Sequence, residues 1–385
     1  MPLSAGLLIL LKLITISKLT KRDRIAHKDI SKPKISATSK GMKRTSLFIP
    51  LFFIYVAKRK DLLYTVRMSA WIIILIIIGV LLVGGAVFSF FYTMHVAKIV
   101  YNLTLVRTEP EKWGRHCSDT TNEEQVRMWD AGCSWADEHR DKITEVEVDN
   151  EGFHLCGEYF DFGGDTAAII IPGRSESLLY SYYFAIPYAK AGCNVLVIDI
   201  RAHGNSSGIY DYVGVGEHRD IMVWSDLLTN RFNNKKVILH GICMGANTAI
   251  LTLTDPACPK EITGIVTEGC YVSFYENYKQ HMIYDHRPVF PVLQEVMWLI
   301  KKHTGTDVSK TKPIDLIDKV KVPFLFLCGE KDMFSKPEKS RELYAKCGSE
   351  VKEIVWFKEG AHSHLRINNE EAFDEAIVDF VHRNI

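Results

Sequence analysis

The chain lacks the cysteine and histidine spacings that usually bind metals. None of its nine cysteines forms a C-x-x-C pair, and no two histidines stand four residues apart beside a helical carboxylate. A metal site at His203 or in HMIYDH is therefore the weaker interpretation, and we expect neither a metal nor another cofactor. An odd number of cysteines leaves at least one thiol unpaired. We interpret them as free thiols, with a Cys117–Cys133 disulfide left open.

The chain also has little net charge and no internal repeat in its C-terminal half. Its formal charge is +1 over 385 residues, which argues against a protein that coats nucleic acid. The positive charge is concentrated, because residues 1–67 hold fifteen Lys or Arg against three Asp. We predict that this basic arm is disordered, since its Lys/Ser/Thr-rich part has no hydrophobic period.

A long uncharged segment follows the arm. Trp71 to Tyr92 reads WIIILIIIGVLLVGGAVFSFFY, which is 22 residues without a charge. At about 1.5 Å per residue this length crosses a hydrocarbon core of about 30 Å. Aromatic residues at both ends suit the two membrane interfaces. We predict a single-pass transmembrane helix over residues 69–94 that holds the protein in a lipid bilayer.

The orientation of this helix depends on where the natural chain starts. With the arm present, Lys58, Lys60 and Arg67 keep the N-terminus in the cytoplasm and export the C-terminal domain. Met42 and Met68 are alternative starts, and without the arm the positive residues after the span favour the reverse. The free thiols favour a reducing compartment. The side of the C-terminal domain and the oligomeric state therefore stay open.

The pattern changes again after the span. Residues 95–142 are predicted as a stalk, with an amphipathic helix in NEEQVRMWDAGCSWADEHR. Over residues 143–385, short β-branched runs such as TAAIIIPG, NVLVIDI and KVILHGI alternate with helical patterns. Such runs are typical of strands that are buried on both faces. We predict an α/β domain with a mostly parallel sheet and helices on both faces.

Three polar side chains follow strands of this sheet, in the order Cys243, Asp332 and His362. Functional groups collect where parallel strands end. Cys243 lies in HGICMGA between Gly241 and Gly245, a pattern that turns a strand directly into a helix and leaves no room for a Cβ at either glycine. The sequence therefore predicts a Cys-His-Asp triad.

Two rivals for these roles stay open. His364 stands two residues beyond His362 and is the alternative base. Glu268 follows the strand TGIVT and is the alternative acid, because some related folds place the acid one strand earlier. The N–H of Met244, directly after Cys243, would face a developing oxyanion.

Together these motifs resemble the α/β-hydrolases over roughly residues 143–385. More narrowly, the chain resembles membrane-anchored bacterial hydrolases of the serine-aminopeptidase (S33) type in IIIPGRSES, DIRAHGNSSG, HGICMGA, VPFLFLCGEKDMF and EGAHSH. The resemblance implies the α/β-hydrolase fold and an oxyanion hole made by the N–H groups of Met244 and Arg174.

Two residues depart from the family pattern. Pro172 replaces the His of the usual His-Gly-x loop, and Cys243 replaces the usual Ser. Resemblance to Cys-His-Asp dienelactone hydrolases and to acyl-CoA–amino acid acyltransferases implies a small-molecule ester or thioester substrate and a thioester intermediate. Three functions remain: a hydrolase, an acyltransferase with an amine or alcohol acceptor, and a catalytically inactive membrane scaffold.

The strand–helix alternation breaks between residues 271 and 313. This segment is rich in aromatic and apolar residues and stands where the related hydrolases insert a helical cap, although a plain core helix is the alternative. As a cap it would line an apolar acyl pocket and exclude water from Cys243.

Overall fold

The computed structural model describes residues 45–385, with side chains from Phe53 onward. The chain divides into two compact units at Leu82 and Val83, and the larger unit runs from Val83 to Ile385. Residues 1–44 of the predicted arm, with the alternative start Met42, lie outside the described residues.

The first element, helix α1, covers Thr45–Leu105. Within the described residues it is the one helix long and apolar enough to cross a membrane. It is longer than the predicted span, because residues 45–67 of the expected disordered arm and residues 95–105 of the expected stalk are helical too. No proline interrupts the sequence between Pro50 and Pro110, so nothing removes a backbone hydrogen bond where the span was expected to end.

Eight strands form one sheet in the order β1-β2-β4-β3-β5-β6-β7-β8. The strands are β1 Ile143–Asn150, β2 Phe153–Phe160, β3 Thr166–Ile171, β4 Asn194–Ile198, β5 Lys236–Ile242, β6 Ile262–Glu268, β7 Phe324–Gly329 and β8 Lys352–Phe357. β1 and β2 form an antiparallel hairpin, and β2 pairs antiparallel with β4. The remaining pairs are parallel, which confirms the predicted mostly parallel sheet.

Helices cover both faces of the sheet. They are α2 Glu123–Glu138, α3 Leu178–Lys190, α4 His218–Asn230, α5 Met244–Thr254, α6 Phe274–Tyr284, α7 Val292–Thr304, α8 Pro337–Lys346, α9 Leu365–Asn368 and α10 Glu370–Asn384. One apolar core joins the sheet to α4, α5 and α8, and a second joins it to α2, α3 and α10. Along β3, Ile169 packs into the first core and Ile170 into the second. Each face of the strand is therefore buried, as expected for a parallel sheet.

The predicted stalk differs from the structure. Its amphipathic helix, α2, packs against α3 through buried residues that include Met128 and Ala136. Gly132 permits this close approach, because a Cβ there would lie 2.8 Å from the backbone nitrogen of Tyr183. The periodic apolar face of α2 is thus buried against the domain.

Helices α6 and α7 occupy the segment predicted as a cap. They pack with the last turns of α1 into a third apolar group, which we call the cap cluster. Its buried members are Ala97, Val100, Tyr101, Leu105, Val106, Val213, Tyr271, Phe274, Tyr278, Met282, Val292, Leu293, Val296, Leu299, Ile300 and Val308. The end of the long helix is therefore part of the C-terminal domain.

The contact between α2 and α3 generates a prediction. Gly132→Leu forces a side chain into the backbone of Tyr183, and we expect the free energy of unfolding to fall by about 1–3 kcal/mol. Ser134→Leu is the matched control, because residue 134 is on the exposed face of the same helix. Urea denaturation of the detergent-solubilised full chain measures both. Equal midpoints for the two variants would contradict the docking of α2.

Candidate active site

A sharp turn between β5 and α5 carries Cys243. The residue has φ 50° and ψ −106°, a backbone conformation that side-chain-bearing residues rarely adopt and that stores strain. The flanking glycines permit the turn: a Cβ at Gly241 would lie 2.4 Å from the carbonyl oxygen of Gly245, and one at Gly245 would lie 2.1 Å from that of Ile171. Met244 is the first residue of α5, so its N–H has no partner within the helix.

The loop after β3 lies directly against this turn. The Cβ position of Gly173 is 3.7 Å from the Cβ of Cys243, so the loop that carries Arg174 passes beside the turn. The Arg174 side chain donates to the carbonyl oxygen of Thr104 at 3.3 Å and lies over the ring of Tyr278. It therefore ties the loop to α1 and to the cap, a contact that the sequence motif does not signal.

Residues of the segment DIRAHGNSSG fix the position of the same loop by accepting hydrogen bonds from its backbone and from the start of α3. Asp199 is fully buried and accepts hydrogen bonds from the N–H of Leu178 at 2.7 Å and from Arg115 Nε at 3.0 Å. His203 is also buried, and its Nε2 accepts a hydrogen bond from the N–H of Ser175 at 3.1 Å. Burial lowers the pKa of His203 to about 4, so the ring is neutral and this acceptor persists. His203 thus has a structural partner.

Asp332 and His362 form a close pair. His362 Nδ1 lies 2.7 Å from Asp332 Oδ2, and the other carboxylate oxygen accepts from the N–H groups of Phe334 and Ser335. Burial alone would raise the pKa of Asp332, but the positive ring and these hydrogen bonds outweigh it and hold the pKa below its usual value. The carboxylate is therefore charged at neutral pH, as an orienting group for a histidine must be.

The ring of His362 also lies near Cys243. Burial lowers the pKa of His362, but Asp332 and then Cys243 raise it, and the net pKa is well above the usual value. Nε2 has no hydrogen-bond partner among the described residues, so the ring and Cys243 are near each other without an aligned bond. The ring lies on Gly269, where a Cβ would come within 2.7 Å of the ring carbon Cε1.

Glu268, the alternative acid, and His364, the alternative base, have other hydrogen-bond partners in the structure. Glu268 is fully buried, and its Oε1 accepts from the N–H of Leu365 at 3.1 Å. Burial raises its pKa to about 7, and no hydrogen bond joins it to His362 in the described part of the chain. His364 instead bonds Gln125 of α2, with Nε2 2.9 Å from Oε1. Of the two carboxyls, Asp332 is therefore the one hydrogen-bonded to His362.

Two further polar side chains near the turn were not predicted. Glu176, on the loop after β3, accepts from Gln125 Nε2 at 3.1 Å, and its second oxygen is buried without a partner among the described residues. Burial raises its pKa to about 8. His281 of the cap stacks on Phe334, and its ring centre is 6.4 Å from that of His362. The cap thus reaches over the triad, and the strand-end pattern could not reveal either residue.

One cavity of the described structure lies away from the turn. It has a volume of about 540 Å³ and lies between the cap and α8, with Tyr275, Met297, Val308 and Lys339 in its walls. Cys243 does not line it, so this cavity is not the predicted acyl pocket.

A group of side chains with metal-ligand atoms lies on the β1–β2 hairpin. Its members are Glu147, His154 and Cys156, of which the first two are exposed. Exposed groups of this kind are common without an ion, and none of the three belongs to the triad.

Comparisons with known proteins agree with this architecture. A family model described as alpha/beta hydrolase fold matches residues 167–297, and one described as serine aminopeptidase, S33, matches residues 314–370. Among solved structures, the Pyrococcus furiosus esterase Pf2001 is similar with a TM-score of 0.55 at 23% identity, over 65% of this chain and 94% of the esterase.

Two curated relatives are similar in sequence. The Bacillus subtilis protein YqkD is 26% identical over 60% of this chain and 75% of its own length. The Saccharomyces cerevisiae membrane protein YNL320W is 26% identical over 63% of this chain and 79% of its own length. The sheet order, the two family models and the structural likeness all support the α/β-hydrolase fold for this chain.

Proposed function

We propose that the protein is a membrane-anchored hydrolase that cleaves an ester or thioester of an apolar acyl group through Cys243, His362 and Asp332. One observation carries the proposal: a cysteine in a strained strand-to-helix turn stands beside a buried histidine whose far nitrogen holds a charged carboxylate at 2.7 Å. Strained backbone of this kind clusters at functional sites. An ordinary packing cysteine needs neither the turn nor the pair.

In the proposed mechanism, His362 Nε2 takes the proton of the Cys243 thiol, and Asp332 holds the resulting imidazolium. The sulfur attacks the substrate carbonyl, and the oxyanion accepts hydrogen bonds from the N–H groups of Met244 and Arg174. When the tetrahedral intermediate collapses, the ring returns its proton to the leaving alcohol or thiol. A water molecule then loses a proton to His362 and attacks the thioester, which releases the acid and the free thiol.

The surroundings of Cys243 support an apolar acyl group. Cys243 packs against the cap cluster and also against the core that includes α3. The cap cluster brings buried Val, Leu, Ile, Phe and Tyr side chains to one side of the sulfur. Burial of apolar surface supplies binding energy of about 25 cal/mol per Å², so an alkyl or aryl acyl group suits this environment better than a charged one.

The anchor is the second part of the proposal. The uncharged part of α1 is exposed in the described structure, with Ile77 at 52% and Leu82 at 69%, and a bilayer is the environment that covers such a surface. The name of the yeast relative, a membrane protein, is consistent with this location. With the basic arm present, the C-terminal domain lies outside the cytoplasm.

The first test is an acyl adduct. When the full chain in detergent is mixed with short and medium acyl p-nitrophenyl esters or acyl-thioesters, we expect a transient mass increase of one acyl group, because the thiolate is a competent acyl acceptor. Cys243→Ala and His362→Ala should show none. Intact-protein mass spectrometry measures all three, and Cys243→Ser tests whether an oxygen nucleophile suffices.

The fate of the adduct assigns the reaction. Decay in water alone supports a hydrolase, whereas an adduct that persists until an amine or alcohol is added indicates acyl transfer instead. The absence of any adduct, with Cys243 no more reactive to iodoacetamide than the other thiols, would refute the catalytic proposal.

The acid is tested by its effect on the ring. Asp332→Asn removes the negative charge that raises the pKa of His362. The ring therefore loses its proton at a lower pH and carries less positive charge beside the sulfur at neutral pH. We expect slower alkylation of Cys243 at neutral pH and an acylation rate lower by up to about 10⁴-fold. Timed mass spectrometry measures both rates.

Glu268→Gln is the matched control for this experiment. It neutralises another buried carboxyl of the same region that makes no hydrogen bond to the ring, so both rates should stay within a few-fold of wild type. If Glu268→Gln lost as much activity as Asp332→Asn, the assignment of Asp332 as the orienting acid would be wrong.

A further inference from the structure

Helix α7 of the cap runs alongside the end of α1 in the same direction. Thr93 Oγ1 donates to Glu295 Oε1 at 2.8 Å, and further along both helices the ring of Tyr101 stacks on that of His303 at 5.5 Å. The two contacts are eight residues apart on each helix, which corresponds to about 12 Å of parallel packing. The position of a residue along α7 therefore indicates which residues of α1 lie at the same height along the shared helix direction.

This register places the start of the cap helix at the end of the uncharged segment. Thr93 directly follows Tyr92, the last residue of that segment, and Glu295 lies in the first turn of α7. Residues before Glu295 consequently lie towards Tyr92 and the phenylalanines that precede it. Phe290 and Pro291, which directly precede α7, are the residues of the α6–α7 loop that this register brings nearest to that level.

The loop and its flanks expose large apolar side chains. Phe290, two residues before α7, is 81% exposed, and Ile283 and Tyr284 at the end of α6 are 48% and 59% exposed. Tyr284 also contacts the ring of Phe334, and the loop between these residues holds the Asp285–Arg287 ion pair. Exposed apolar side chains that lie near one another mark surfaces that bind a partner. We call the apolar residues that flank the loop, Ile283, Tyr284 and Phe290, the cap tip.

The neighbouring exposed face of α7 has the chemistry of a membrane interface. Trp298 is 50% exposed, and the Lys302 ammonium lies 5.0 Å from its ring centre. Tryptophan and lysine are enriched at the headgroup level, where the ring is half apolar and the lysine extends to water and lipid phosphates. Lys98 of α1 is exposed as well. Along the direction of the two helices, the exposed apolar side chain of Phe290 therefore comes first, and the Trp298 and Lys302 side chains follow.

We propose that the cap tip inserts into the same bilayer interface in which the uncharged segment of α1 ends, so that the domain contacts the membrane at a second place. The partner is the phospholipid bilayer, because the register brings Phe290 of the tip to the level of the last residues of the span, and interfacial side chains follow it along α7. This inference rests on the proposed membrane anchor and is independent of the proposed chemistry at Cys243. It makes the cap the part of the domain nearest to membrane lipids.

Photo-crosslinking of the full chain tests the contact. p-Benzoylphenylalanine replaces Phe290 in protein reconstituted into vesicles of phosphatidylcholine and phosphatidylglycerol, and mass spectrometry detects covalent lipid after illumination. Phe88→p-benzoylphenylalanine reports whether the span itself is in the bilayer. Val351→p-benzoylphenylalanine is the matched control, since Val351 is 42% exposed. It precedes β8 and so lies at the amino ends of the parallel strands, whereas Cys243 lies at their carboxyl ends.

The expected result is lipid adduct at positions 88 and 290, several-fold above that at position 351. Adduct at 88 with position 290 no higher than 351 would overturn the inference and leave the anchor standing. A crosslink from 290 to a second copy of the chain in place of lipid would also overturn it. No adduct at 88 would refute the anchor, and the cap contact would be refuted with it.

Discussion

The geometry of the site depends on how closely the start of α5 approaches the end of β3. No side chain fits at residue 245, where a Cβ would lie 2.1 Å from the carbonyl oxygen of Ile171. With glycine there, the helix begins against the strand, and Cys243 is held in the turn between them at positive φ. The same approach brings the loop after β3 against Cys243. A single close backbone contact thus arranges the turn and the loop that carry the proposed nucleophile and oxyanion donors.

Buried polar groups, more than apolar packing, keep that arrangement fixed. Asp199 accepts hydrogen bonds from the backbone of the loop region and from Arg115, and His203 accepts from the N–H of Ser175. An unpaired polar group in such a place costs about 1–3 kcal/mol, so each partner resists displacement of the loop. The DIRAHGNSSG segment therefore contributes to the site without contributing a reacting atom.

The fold followed from the sequence because its strands are short β-branched runs that end in glycines and polar residues. The order of the proposed triad was readable for the same reason: Cys243, Asp332 and His362 each follow a strand within a few residues. The docking of α2 and the helical continuation of residues 95–105 were not predicted, because an amphipathic face or an uninterrupted helix does not reveal what it packs on. Glu176 and His281 were missed because only tertiary contacts bring a loop carboxyl and a cap histidine to the same strand ends. The sequence favoured Asp332 and left Glu268 open as the rival acid, because both follow strands; the hydrogen bond between His362 and Asp332 distinguishes them.

Because Ala97, Val100 and Tyr101 are buried in the cap cluster, the position of a cut decides what is released from the proposed membrane anchor. A protease that cut between Thr93 and Ala97 would free a domain whose cap is complete. A cut after Leu105 would remove one wall of the cluster that packs on Cys243 and admit water to it. Only cleavage at the few peptide bonds between Thr93 and Ala97 therefore releases the domain with its cap intact. Cleavage after Leu105 releases the domain and disrupts the site at the same time.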